Sequence, residues 1–211
     1  MENMLSGALR VIRGLLNQLL INLEGVKGAE WLIELKKFLR GEKCWVHSAL
    51  EFAGTVDLAE MTAEFWAKHD FFADAFGKVR LKKAEAGDNF KQWFFDLTEQ
   101  PAPNKPLGYY DLLEQTLDIS IMHETGSSEL SLLYQFYSLL KKQESGKSGE
   151  LLNDGHWNIF FIRDKSFVVR TVTCRWVKNF GWQIHAWHFI GAKWGKRCRA
   201  FSPKEIENKK Q

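Results

Sequence analysis

Cysteine is nearly missing from this chain. Its three copies, Cys44, Cys174 and Cys198, are odd in number, widely spaced and free of any C-x-x-C pair. That excludes a secreted disulfide framework and fits a reducing cytosol. Proline is almost as rare, four in 211 residues, and three of the four fall between positions 99 and 106. With no low-complexity tract either, disordered and collagen-like classes are excluded. Long hydrophobic runs are absent. The leucine-rich stretch Leu15 to Leu23 follows Arg10 and Arg13 much as in a signal peptide, but Asn17, Gln18 and Asn22 interrupt it and no A-x-A site follows. We therefore expect a cytoplasmic chain with no membrane contact. G-x-S-x-G, P-loop, G-x-G-x-x-G and H-E-x-x-H motifs are lacking, as are RRM, KH and zinc-finger signatures. No cofactor, metal or catalytic residue is expected.

What is present is a globular composition, 45% hydrophobic and 26% charged, in a chain long enough for one substantial core. The net charge of +3 hides a division. Residues 156–211 hold 12 of the 29 Lys+Arg but only three of the 26 acids (Asp164, Glu205 and Glu207), a net of +9. Residues 1–155 carry the balance, 17 basic against 23 acidic, a net of −6. Five of the nine tryptophans also lie in the basic part. Such asymmetry suits an anionic partner, or docking of one part on the other.

Leu5, Leu9, Ile12, Leu16, Leu19 and Leu23 recur at spacings of 4, 3, 4, 3 and 4, which predicts one long helix over 3–24. After a turn at Gly25 and Gly28, Trp31, Leu35 and Phe38, with Leu32 and Leu39 alongside, predict a second helix to Arg40, ended by Gly41. This hairpin packs its seam on the rest of the chain or on another copy; an intramolecular core is the simpler reading. Further helices are expected over Leu58–Lys68 and Phe71–Phe76, stopped by Gly77, and over Tyr109–Met122, with a short strand at Val79–Lys83. Four aromatics crowd Asn89–Asp96 as core material, and Ser127 or Ser128 would cap a helix whose apolar face is Leu132, Leu133, Phe136, Leu139 and Leu140. Lys141 and Lys142 in its last turn suit the helix dipole.

From Trp157 the period becomes two. Trp157–Arg163, Val168–Val177, Trp182–Phe189 and Lys196–Phe201 read as a four-stranded antiparallel meander joined by short turns. Val168, Val172, Cys174, Trp176, Ile184, Ala186, Cys198 and Ala200 would face inward; Thr171, Thr173, Arg175, Gln183, His185, Trp187, Arg197 and Arg199 would face out. Arg170 falls on the inward side, a misfit. The expected fold class is α+β: an N-terminal helical hairpin (1–43), a mainly helical region (44–150), the antiparallel module (151–203) and a polar tail (204–211), together one compact unit.

Leu151-Leu-Asn-Asp-Gly-His-Trp-Asn-Ile-Phe-Phe-Ile-Arg-Asp164 resembles the LL-x-x-G-x-x-NIF-x-IRD segment recurring in small uncharacterised proteins of uncultured candidate-phylum bacteria. Trp176…Gly181-Trp182…His185-Ala186…Trp194…Phe201-Ser202 is similar to the stretch downstream of that segment in those proteins. Trp31…Glu34-Leu-Lys-Lys-Phe-Leu-Arg40 and Asn89-Phe-Lys-Gln-Trp93 also resemble parts of the group. The resemblance covers the C-terminal third best, implies one recurring domain there and brings no catalytic residue. Lys165-Ser166-Phe167 stands where the group has a glycine-containing turn, which implies a differently shaped hairpin.

The leading candidate surface is the outward sheet face. Arg175, Arg197 and Arg199 offer guanidinium forks, and His185 and Trp187 flat rings for stacking, a combination suited to RNA or single-stranded DNA. The bland alternative is a solvated face, or one docked on the acidic helices. A zinc reading of His185, His188, Cys174 and Cys198 fails on strand alternation, because i and i+3 face opposite ways. A metal-independent ribonuclease would draw acid and base from His156, His185 and His188, charge stabilisation from Arg175 or Arg199, and an orienting carboxylate from Asp154 or Asp164. A protein-interaction or assembly role would use the Leu5–Leu23 seam. Glu60, Glu64 and Asp74 read as ordinary solvated acids rather than metal ligands.

Overall fold

A computed structural model describes residues 2–41, 48–75, 78–103, 105–126 and 130–204, with side chains from residue 13 onward. The chain divides into two units, Met1–His47 and Ser48–Gln211. The first is the expected hairpin of α1 (Glu2–Glu24) and α2 (Gly28–Leu39). Leu19 and Leu23 of the seam are half-buried, as are Trp31 and Leu35. Leu16 stays exposed, and the side chains of Leu5, Leu9 and Ile12 lie outside the described residues. Gly41 takes the left-handed φ of 71° expected of a helix stop.

The second unit is α+β. Its first part runs β1 (Leu50–Val56), β2 (Phe65–Trp66), a π-helical turn (Ala67–Phe71), β3 (Ala84–Ala86), α3 (Asp88–Phe94), β4 (Thr98–Glu99), β5 (Leu107–Leu112), β6 (Thr116–Leu117), α4 (Asp118–Thr125) and α5 (Leu133–Lys142). Beyond α5 come a 3-10 turn (Glu144–Gly146), β7 (Asn158–Arg163), β8 (Val169–Val177), β9 (Gly181–His188), β10 (Lys193–Trp194) and β11 (Arg199–Pro203). The main sheet has seven strands in the order β1-β5-β11-β7-β8-β9-β3, not four. It is mixed rather than antiparallel: β11–β7 and β3–β9 are parallel, the other pairs antiparallel. The β7-β8-β9 meander forms as expected from its short turns. The fourth C-terminal strand does not continue it but crosses back to lie between β7 and β5. Strands from both sides of position 150 therefore share one sheet, and no structural boundary falls there.

One face of the sheet packs on α3, α5 and the excursion between β1 and β3. Phe160, Val172, Cys174, Trp182, Ile184 and Phe201 meet Phe71, Phe90, Phe94 and Phe136 in this larger core. The opposite face carries Leu112, Ile159, Phe161 and Ala200, covered by Ile121 of α4 and by Trp194. A register shift between Phe52 and Gly54 in β1 lets Leu50 and Val56, both even-numbered, serve opposite cores. The expected inward set is split as well: Cys198 and Ala200 belong to the second core, and Val168 is exposed.

None of the helices expected over Leu58–Lys68, Phe71–Phe76 and Tyr109–Met122 forms over that range; in the second, residues 71–75 are the end of the π-helical turn, a bridge and a turn. Leu58, Met61 and Phe65 are buried at helix-like spacing, but the chain there is loop and β2. Tyr109–Met122 is strand β5, strand β6 and then α4. The expected strand Val79–Lys83 shrinks to a bridge between Val79 and Phe72, ahead of β3. Phe76, Gly77 and the expected caps Ser127 and Ser128 lie outside the described residues. Helix α5 buries Leu133, Phe136, Leu139 and Leu140 as its periodicity demands.

Its first turn is capped from afar. Glu99 accepts the N–H groups of Leu133 (2.7 Å) and Tyr134 (2.8 Å), and Gln135 Oε1 accepts that of Leu132. Burial pushes the Glu99 carboxyl from the usual 4.5 up to about 7, against the pull of those two N–H groups. Between these values the folded chain binds more protons than the unfolded one, so stability falls as pH rises from about 4.5 to about 7. The loss approaches about 3 kcal/mol. Urea midpoints should therefore drop between pH 5 and 8 by clearly more in the wild type than in Glu99→Gln; an equal drop in both would refute the assignment.

Candidate functional site

The three meander strands set their second-face residues in rows. Arg175 lies opposite Gln183, Thr173 opposite His185 and Thr171 opposite Trp187. Thr171 and Thr173 are buried. Arg175, Gln183 and His185 are half-buried, and Trp187 is 43% exposed. The cover made by α4 and Trp194 thus leaves this strip near the β9 edge open.

Within the strip the groups fix one another. The Arg175 guanidinium lies over the Trp157 ring at 4.4 Å and donates to Gln183 Oε1 from Nε (3.1 Å) and Nη2 (3.0 Å). His185 meets the Trp157 ring edge-on at 5.7 Å and lies 5.9 Å from that of Trp187, whose Nε1–H donates to Thr173 Oγ1. Burial, and next the Arg175 charge, hold the His185 imidazole below its ordinary pKa, with Glu85 pulling the other way. His185 is therefore a neutral ring at physiological pH. Beside it, Gly87, Asp88, Asn89, His185, Ala186 and Trp187 line a recess of about 200 Å³. This is below the ~300 Å³ at which drug-sized pockets begin.

Of the five expected binding residues, Arg175, His185 and Trp187 come together. Arg197 sits in the exposed turn before β11, at a left-handed φ of 75°. Arg199 does not join them. Pairing of Arg199 with Asn158, and of Ala200 with Ile159, puts its side chain on the opposite face. There it grips Asp111 through Nε (2.7 Å) and Nη2 (3.0 Å), donates to the Glu150 carbonyl (2.8 Å) and stacks on Tyr109. Expecting it beside Arg175 rested on a continued meander; the return of β11 to β7 reverses its face.

His188 also faces away from His185. It meets Arg170 Nη1 through Nδ1 at 2.8 Å and lies against Trp93. His185 and His188 therefore cannot act as acid and base on one substrate. Asp154 approaches His156 Nδ1 at 3.0 Å, whereas Asp164 is taken by Arg170. The misfit Arg170 thus does point inward, where Asp164 compensates it. Cys174 and Cys198 belong to different cores, burial raises both thiols, and the described residues hold no cluster of three metal-ligating side chains.

Comparison with protein-family models, curated proteins and solved structures finds no match. No described helix is long and apolar enough to cross a membrane. Sequence reasoning missed Trp157, which organises the strip from one residue before β7, and Asp118. Asp118 is fully buried and accepts hydrogen bonds from Thr171 Oγ1 (2.9 Å) and Trp194 Nε1, which ties α4 across the second face. Burial raises its carboxyl above the ordinary range, against those bonds. A lone Asp at a helix start gives no sequence signal for such an anchor.

Proposed function

We propose that this chain is a binding module for single-stranded nucleic acid, with the Trp157–Arg175–His185–Trp187 strip as its platform. The observation that carries the reading is the juxtaposition of rings already held in place with a half-exposed Trp187 and an adjoining recess of about 200 Å³. Stacking on rigid rings tolerates any base, because every base has a π-face. Phosphates would be met by Arg175 and by the exposed Lys193, Lys196 and Arg197, which flank the buried Trp194 packed on Trp157. Residues 189–198 include no acid.

Fluorescence anisotropy with a labelled oligouridine or oligothymidine of about 12 nucleotides tests this. Binding should occur at low salt and weaken with salt. Trp187→Ala should weaken it roughly tenfold, and Arg197→Ala should flatten the salt slope by about one. Arg199→Ala, on the other face, should leave the salt slope unchanged. No binding at low salt, or binding indifferent to salt, overturns the proposal.

A further inference from the structure

We propose that the N-terminal hairpin is a self-association element, in which α1 pairs antiparallel with α1 of a second copy to build a four-helix bundle. The need for a partner comes from burial. No described side chain between residues 13 and 41 is buried, yet Leu15, Leu16, Leu20, Ile21, Leu32, Ile33 and Leu39 are each between 44% and 74% exposed. These leave apolar surface on the order of 800 Å², what one partner brings to a standard interface. Half-buried Leu19 and Leu23 lie on the side of α1 that shares the seam with α2. Leu16 and Leu20, both 55% exposed, form a second stripe beside it.

The identity of the partner comes from the charge pattern of that second stripe. Arg13, Leu16, Leu20 and Glu24 follow at spacings of 3, 4 and 4, which sets them along one side of α1. The stripe is positive at one end, apolar in the middle and negative at the other. Turned about a twofold axis between Gln18 and Leu19, it matches itself. Arg13 of each copy then stands level with Glu24 of the other, and Leu16 of each copy lies within one residue, about 1.5 Å, of the level of the other's Leu20. Arg13 and Glu24 are both exposed, and neither meets an opposite charge among the described residues. The interval from Gly14 to Leu23 has no charge to oppose close approach. On α2, Leu32 and Leu39, seven residues apart, lie beside the Trp31–Leu35–Phe38 stripe and widen its apolar arc. A wide apolar arc on both helices is what a four-helix arrangement uses.

Sedimentation or light scattering on the full chain tests this. Wild type should show twice the 24.5 kDa chain mass at micromolar concentration, with dissociation on dilution. Leu16→Glu with Leu20→Glu should abolish the dimer while circular dichroism retains the helices, because neither residue is buried within its own chain. Arg13→Glu alone should weaken dimerisation severalfold, and adding Glu24→Arg should restore it, since the swap regenerates the same pairs in reverse. A monomer at all concentrations overturns the proposal. So does a dimer indifferent to the Leu16 and Leu20 changes, a charge swap that fails to restore, or a monomer that instead binds anionic lipid vesicles.

Discussion

Replacing Arg170 with methionine should cost about 3–5 kcal/mol of folding stability, the range for removing one partner of a buried ion pair. The cost arises from what is left behind. Asp164 has a side chain only 2% exposed, and its counter-ion Arg170 only 11%. Arg170 Nε donates to Asp164 Oδ2 at 2.7 Å, while the guanidinium lies over Trp93 at 3.9 Å. Burial alone would raise the Asp164 carboxyl; the Arg170 fork and the N–H groups of Val168 and Ser166 outweigh it and hold the carboxyl below its ordinary 3.8. In the wild type this stabilisation is present above pH 3.8 and is lost only as pH falls through the lower folded value. In Arg170→Met the unpaired carboxyl should titrate upward, so the deficit should shrink on acidification. Adding Asp164→Asn should recover most of it, because an amide oxygen still accepts the N–H groups of Ser166 (2.8 Å) and Val168 (3.0 Å). A loss under about 1 kcal/mol for Arg170→Met, measured by urea unfolding at neutral pH, would mean that the pair is weakly coupled to folding.

Gly181→Ala should be about as damaging, about 3 kcal/mol or more, for a reason of backbone rather than charge. Gly181 opens β9 at a φ of 95°, and a Cβ placed there would lie 1.8 Å from the Lys83 carbonyl oxygen and 2.4 Å from its carbon. That carbonyl accepts the Trp182 N–H at 2.7 Å, the bond that starts the parallel β3–β9 ladder. No flexible side-chain tip can move aside; two backbones must separate. Trp182, fully buried and bonded through Nε1 to the Gln143 carbonyl, would be displaced with them. Gly195→Ala is the control. A Cβ at Gly195 meets nothing within 4 Å, and its thermal midpoint should stay near that of wild type.

How far the sequence was legible depends on how local each contact is. The β7-β8-β9 meander could be read because connections of five and three residues leave few alternatives, and alternation then assigned Arg175, His185 and Trp187 to one face. The Leu19–Leu23 seam and the α5 face were legible for the same reason. What was not legible came from distant pairing. Strand β1 was hidden by its bulge at Ala53 and Gly54, which breaks the period of two. Strand β5 was absorbed into a helix because Leu112, Leu117 and Ile121 keep a rough helical spacing across an extended segment. Leu58, Met61 and Phe65 show that burial can follow a helical period without a helix. Phe167, where a glycine would be usual, holds a φ of 61° with its ring 80% exposed, a turn fixed by Asp164 rather than by glycine. The displacement of Arg199 to the opposite face is the costliest consequence, since one unforeseen crossover moved a residue out of the candidate site.

That crossover also governs how the molecule must be made. Among the described strands, β11 alone joins the β5–β1 pair to the β7-β8-β9-β3 group, and it comes last in the chain. During synthesis the two half-sheets wait with raw edges at β5 and β7 until residues 199–203 arrive. Closure then requires contacts spanning 88 positions, as between Arg199 and Asp111, which loop entropy makes slow. Until residues 199–203 have been made, the β5 and β7 edges stay open to chaperones and to neighbouring chains, and the seven-stranded sheet closes only when β11 docks between them.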